Sequence, residues 1–147
     1  MRRLSIEERA RIIACLCEGN SIRATSRLTG FAKDTVIKLL LDAGEACREY
    51  QDVALRGLTC KRVQVDEAWC FVAKKQRNAS PEEQGVGMGD AWTWTAICAD
   101  SKLLVSWLVG NRDAVAAEQF IEDLAGRLAN RIQLTSDGLA VYLNAVD

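Results

Sequence analysis

Hydrophobic positions recur at two periods along this chain, and the change of period divides it. Through the first 45 or so residues apolar side chains return every three or four positions, the spacing of helices that bury one face. From residue 62 onward they come in dense β-branched and aromatic runs, the pattern of strands. The first helix opens at Ser5-Ile6-Glu7-Glu8, a capping box, carries Ile12, Ile13, Leu16 and Cys17 on its apolar stripe, and ends at Gly19. Ser21 caps a second helix with Ile22, Thr25 and Leu28 at helical spacing, broken by Thr29-Gly30-Phe31. A third is predicted from Lys33 to Leu41, with Val36, Leu39 and Leu40 inward and Gly44 as its end. Glu45 to Leu55 reads as a polar helical connector, and Arg56-Gly57-Leu58-Thr59 as the boundary to a second domain.

The second region begins with the strand Arg62–Val72. Residues 73–90, with Pro81, Gly85, Gly87, Gly89 and a basic start, read as a long loop. Ala91–Ala99 and Lys102–Val109 form a hairpin turned at Asp100-Ser101, with Trp92, Trp94 and Trp107 as sheet-packing aromatics. Asn111-Arg112-Asp113 caps a helix whose apolar side is Ala117, Phe120, Ile121, Leu124 and Leu128, with Glu118, Glu122 and Asp123 on its solvated side. A short strand, Arg131–Thr135, ends at Ser136-Asp137-Gly138, and a last helix begins near Leu139. The expected fold is therefore mixed α/β, with an all-α head over residues 1–44, a connector over 45–59 and a sheet-bearing body over 60–147.

Charge sharpens that division. The 147 residues carry a net charge of −1, yet residues 1–62 hold 12 Lys and Arg against 8 Asp and Glu, and the remainder holds 7 against 12. A basic head on an acidic body fits a DNA-binding module joined to a carboxylate-bearing one. No apolar run approaches membrane-spanning length, and Met1-Arg2-Arg3 lacks the apolar core of a secretory signal, so a cytoplasmic chain with no membrane partner is expected. There is no histidine, which removes Ser-His, Cys-His and His-ligated metal chemistry. The six cysteines form no Cys-x-x-Cys pair and read as buried reduced thiols.

Two candidate sites emerge. Two short helices joined by a Gly-containing turn, after a longer first helix, have the helix-turn-helix pattern. Its last helix presents Lys33, Asp34, Thr35, Ile37 and Lys38 near its start for a major groove, and Arg23 and Arg27 of the preceding helix reach phosphates. A plain three-helix bundle with solvated charges has the same pattern. In the body, Asp66 and Glu67 sit in a strand of Val, Trp and Phe, where a carboxylate is costly unless a cation holds it. A divalent metal or a surface-facing Asp are the two readings. If the first strand lies beside the fourth, Asp66 and Asp137 meet at one end of the sheet, close enough to bridge Mg²⁺; taken alone, Asp137 is an ordinary Asp-Gly turn.

The runs Arg62-Val63-Gln64-Val65-Asp66-Glu67-Ala68-Trp69, Gly89–Ile97 and Leu128–Gly138, with the helical run Ser21–Gly44, resemble the DDE transposases of the IS-one-type insertion sequences. The resemblance implies a helix-turn-helix followed by a partial ribonuclease-H-like core, and DNA cleavage and strand transfer with Mg²⁺ or Mn²⁺. It implies Asp66 and Asp137 as the first two catalytic and metal-binding carboxylates. Double-stranded DNA, both element ends and target, is the implied partner, and a homo-oligomer is compatible with it. The family's third carboxylate, a Glu on a later helix, has no match here, and Leu139 stands where relatives carry His. Those departures point to a C-terminally truncated or split transposase, inactive without the Glu-bearing segment. A non-catalytic DNA-binding repressor, or an unrelated regulator with a sensor domain, are the other readings.

Overall fold

A computed structural model describes residues 4–146; Met1-Arg2-Arg3 and Asp147, including the start considered for signal character, lie outside the described residues. The described residues form a mixed α/β structure with six α-helices and one four-stranded mixed sheet. The chain divides at Ala54/Leu55 into two compact units.

The first unit holds α1 (Ile6–Cys17), α2 (Ile22–Thr29) and α3 (Lys33–Ala54). Ser5 and Glu8 close the capping box at the start of α1, and the Ser21 hydroxyl accepts from the Ala24 N–H at the start of α2. Gly30 ends α2 in the left-handed region at φ 77°, where a side chain would be strained. Ser26 Oγ donates to the Phe31 carbonyl at 2.6 Å, fixing the turn into α3. Ile12, Thr25, Thr29 and Val36 are buried.

Several expectations for this unit are corrected. α3 does not stop at Leu41 or Gly44 but runs unbroken for 22 residues to Ala54, so the stretch from Glu45, expected to be helical, continues the same helix. Gly44 is exposed with open space around it, and one glycine costs a helix only about 1 kcal/mol, which the helix-forming residues on either side offset. Cys17, Leu28 and Leu40, expected inward, are exposed, because so small a helical unit has room for only a few fully enclosed positions.

The second unit contains the sheet, in the order β3-β2-β1-β4. β1 (Arg62–Val72) runs antiparallel to β2 (Gly89–Cys98), which pairs with β3 (Leu104–Gly110). The short β4 (Gln133–Thr135) lies parallel to β1 on its other side, with Gln64 opposite Thr135. α5 (Ala114–Arg127), capped by Asp113, and α6 (Val141–Val146) bury Phe120, Leu124 and Tyr142 with Val63, Val65, Trp94, Ala96 and Val105 in one core. Trp94 is fully buried between Phe120 at 5.9 Å and Tyr142 at 5.5 Å, edge-on to the latter, and its indole N–H donates to the Asn111 carbonyl.

Residues 73–90 are not one loop. A 3₁₀ turn (Gln76–Asn78) precedes α4 (Pro81–Gly85), which is capped by Ser80 and Glu83 in a second capping box, with Pro81 in its first turn. Gly89 is required at φ 129°, since Gln76 Oε1 occupies the place of a Cβ while accepting from the Asp90 N–H at 3.0 Å. Asp123, expected on the solvated side of α5, instead accepts from Arg127 Nε at 2.7 Å and from the fully buried Ser106 hydroxyl of β3. Burial opposes its charge, but these two donors outweigh that and hold its carboxyl below the usual range. Residues 55–59, assigned to the connector, belong to this unit: Leu58 bridges Leu128 and packs on the core.

Candidate metal and DNA sites

Strand alternation decides what each side chain of β1 can do. Val63, Val65 and Glu67 share the face that meets α5 and α6, while Gln64 and Asp66 point to the opposite, open face. Asp66 is therefore exposed, and the carboxylate driven into the apolar interior is Glu67, whose side chain is 1% exposed. This corrects the premise that placed Asp66 among Val, Trp and Phe. Glu67 does have its cation, an internal one. Arg112 Nε and Nη2 each lie 3.2 Å from Glu67 Oε2, and the Tyr142 hydroxyl donates to Glu67 Oε1. The Arg112 guanidinium also stacks over the Trp92 ring at 4.9 Å. Burial first, then the bond to Glu67 and the charges of Glu67, Asp137 and Asp66, push the Tyr142 phenol well above its ordinary range, so it remains a donor.

On the open face, Asp66 and Asp137 line one cavity of about 320 Å³ together with Gln64, Thr95, Thr135 and Ser136. The parallel pairing of β4 with β1 brings them together: Asp66 lies two residues beyond Gln64, and Asp137 two beyond its partner Thr135. Each carboxylate is half committed. Asp66 Oδ1 accepts from the Glu67 N–H at 2.8 Å, and Asp137 Oδ1 from the Leu139 N–H at 3.2 Å. The polar side chains on this wall offer only oxygen and one amide, a hard donor set suited to Mg²⁺ or Mn²⁺ rather than to a thiophilic ion. Among the described residues no three acidic or thiol side chains gather closely enough to form a metal cluster.

In the helical unit, Arg23, Arg27, Lys33 and Lys38 are exposed and Thr35 is half-buried. Arg23 and Arg27, four residues apart on α2, lie on one face of that helix. Lys38 is occupied by Asp42, with its ammonium 3.2 Å from both carboxylate oxygens, which lowers its value as a phosphate contact. Among the described residues no helix is long and apolar enough to cross a membrane.

Arg112 and Tyr142, the partners of Glu67, are the residues that sequence reasoning missed at this end of the sheet. The parity of β1 was the available signal for Glu67, since it shares the face of Val63 and Val65. Nothing local marks Arg112 or Tyr142, which lie 45 and 75 residues away. Compared with known proteins, the chain matches no family model and no curated sequence.

Proposed function

We propose that this chain is an insertion-sequence transposase polypeptide of the DDE type, whose helix-turn-helix head binds duplex DNA and whose ribonuclease-H-like body carries the first two metal-holding carboxylates for DNA strand cleavage and transfer. The observation that carries the reading is the single oxygen-lined cavity shared by Asp66 and Asp137 at the end of the parallel β1–β4 pair. Asp66 and Asp137 each keep one carboxylate oxygen outside the hydrogen bond to a backbone N–H, and those two oxygens would hold a divalent ion. The chemistry supplied there would be Lewis-acid activation of a water or 3′-hydroxyl and compensation of charge on the leaving oxygen. The Glu67–Arg112–Tyr142 cluster does no chemistry; it locks the backbone of β1 directly beneath Asp66. The reading assigns the residues of this chain duplex DNA binding by the head and the first two of the carboxylates that strand cleavage uses. Transposition acts on chromosomal DNA, which puts the protein in the cytoplasm.

Mn²⁺ is the direct probe. Titrated into the full chain, it should broaden the amide resonances of residues around Asp66 and Asp137, and Asp66→Asn or Asp137→Asn should abolish the broadening while leaving the rest of the spectrum in place. Broadening that survives both substitutions defeats the metal site. For the head, Arg23→Ala and Arg27→Ala should each weaken duplex binding and reduce its salt slope by about 1 for every phosphate no longer neutralised. An unchanged slope removes those residues from the interface. DNA binding with no Mn²⁺ effect at the two aspartates would favour a non-catalytic repressor instead.

A further inference from the structure

β1 outruns its neighbour on one side. β2 accompanies it from Val63 to Val72, whereas β4 lies beside Arg62, Val63 and Gln64 only. Past Gln64 no strand flanks the outer edge of β1 among the described residues. Backbone direction alternates along that edge. The Arg62 carbonyl accepts from the Ala99 N–H at 2.9 Å and the Asp66 carbonyl from Thr95 Oγ1 at 3.2 Å, so even positions face β2. The Lys61 carbonyl accepts from the Gln133 N–H at 2.9 Å, so odd positions face the other way. The Glu67 N–H is taken by the Asp66 carboxylate at 2.8 Å. Trp69 and Phe71 follow, each presenting an N–H and a C=O along the open edge. Nothing blunts this edge in the usual ways. Ala68-Trp69-Cys70-Phe71-Val72 has no charge and no proline, its register with β2 is unbroken, and all five residues are exposed. The Trp69 and Phe71 rings, 42% and 47% exposed, lie 5.8 Å apart on one face.

We infer that this edge receives a second copy of the chain, the two β1 strands pairing antiparallel about a two-fold axis at Cys70. The choice of occupant follows from the residues on either side. The five uncharged positions are centred on Cys70, with Asp66-Glu67 before them and Lys74-Lys75 after. Antiparallel self-pairing about that centre sets the acidic end of each strand toward the basic turn of the other, and parallel pairing sets like charges together. Glu67 is buried on Arg112, and the Lys74 ammonium lies 2.7 Å from Glu83, so the exposed Asp66 and Lys75 carry most of this attraction. The backbone fits as well. Odd positions face outward, so Trp69 exchanges both hydrogen bonds with the partner's Phe71, and Phe71 with the partner's Trp69. Each Trp69 ring then stands across from the partner's Phe71 ring, and these exposed aromatics leave water together. Cys70 falls opposite the partner's Cys70 in a non-hydrogen-bonded pair, where Cα atoms approach to about 4.5 Å. Ala68 meets the partner's Val72, and β4, which ends opposite Gln64, leaves that span clear. An unrelated strand has the same backbone groups to offer but not the matching charged ends. This inference is independent of the metal and DNA readings.

Sedimentation of the reduced full chain over a concentration series, with neither DNA nor divalent metal present, tests it. The expected result is a reversible dimer of twice the 16.2 kDa chain mass. Diamide should then trap that dimer as a Cys70–Cys70 disulfide, identified by peptide mapping. Cys70→Ser should prevent the trap without abolishing the dimer. Phe71→Lys should raise the dissociation constant about tenfold, because symmetry removes two aromatic pairs at once. Ala68→Lys is the second variant should Phe71→Lys perturb the fold, and circular dichroism establishes that each is folded. The inference is overturned by a chain that stays monomeric across the series, by a trapped dimer linked through cysteines other than Cys70, or by a folded Phe71→Lys dimer as tight as the wild type. A monomeric chain would leave the Asp66–Asp137 cavity and its Mn²⁺ test untouched.

Discussion

The helical unit and the sheet unit bury their apolar residues in different ways. In residues 4–54 the enclosed positions are few, Ile12 and Val36 with two threonines, and Leu28, Leu41, Tyr50 and Val53 are largely exposed. In residues 55–146 a single cluster joins the sheet to α5 and α6, with Trp94 and Phe120 fully enclosed. The helical unit relies on local devices (a capping box, a serine cap, a left-handed glycine, a serine-fixed turn), whereas the sheet unit relies more on pairings between residues far apart in sequence. Damage should therefore be local and modest in the first and delocalised in the second.

The largest effect expected is Trp94→Ala, about 3–5 kcal/mol from loss of the ring and its cavity, read by urea unfolding. The remaining three tryptophans all lie beyond residue 54, so their fluorescence reports the sheet unit alone. Ile12→Ala should cost the helical unit about 2–4 kcal/mol, read by far-ultraviolet ellipticity, to which α1, α2 and α3 together contribute most. Equal shifts in both signals from either variant would erase the distinction and make the chain one cooperative body. Arg112→Ala should cost about 1–3 kcal/mol, because it leaves the Glu67 carboxylate buried with only the Tyr142 hydroxyl; Arg112 is itself a third exposed, which tempers the loss. Adding Glu67→Gln should recover part of that, and no recovery would mean that Arg112 acts through its stack on Trp92 instead. The smallest is Ser21→Ala, about 1 kcal/mol from a lost helix cap, visible in ellipticity and silent in fluorescence.

The same contrast explains what was legible in the sequence. The bounds of β1 follow from its residues, because eleven positions of Val, Trp, Phe and alternating polar groups leave one option. α4 was missed although Ser80-Pro81-Glu82-Glu83 is a capping box as plain as the one at Ser5; the three glycines around it suggested a loop. Gly44 misled in the other direction, since a single exposed glycine inside a strong helix is tolerated. At the candidate site, Asp66 and Asp137 were named, but periodicity does not carry strand order, and their meeting depended on β4 choosing β1 as its neighbour. Parity was legible and decisive: counting from Val63 assigns Glu67 to the interior and Asp66 to the open face.

The parallel pairing of β1 with β4 also has a consequence in time. Arg62 and Gln133 are partners roughly seventy residues apart, so ribosomes adding about 5–20 residues per second deliver the two strands roughly 4–14 s apart. During that interval β1, β2 and β3 can form their antiparallel meander, while the outer edge of β1 stays unpaired beside Asp66. The cavity shared by the two aspartates is thus among the last features the nascent chain completes, and a translational pause before residue 133 would prolong the exposure of that edge to other chains.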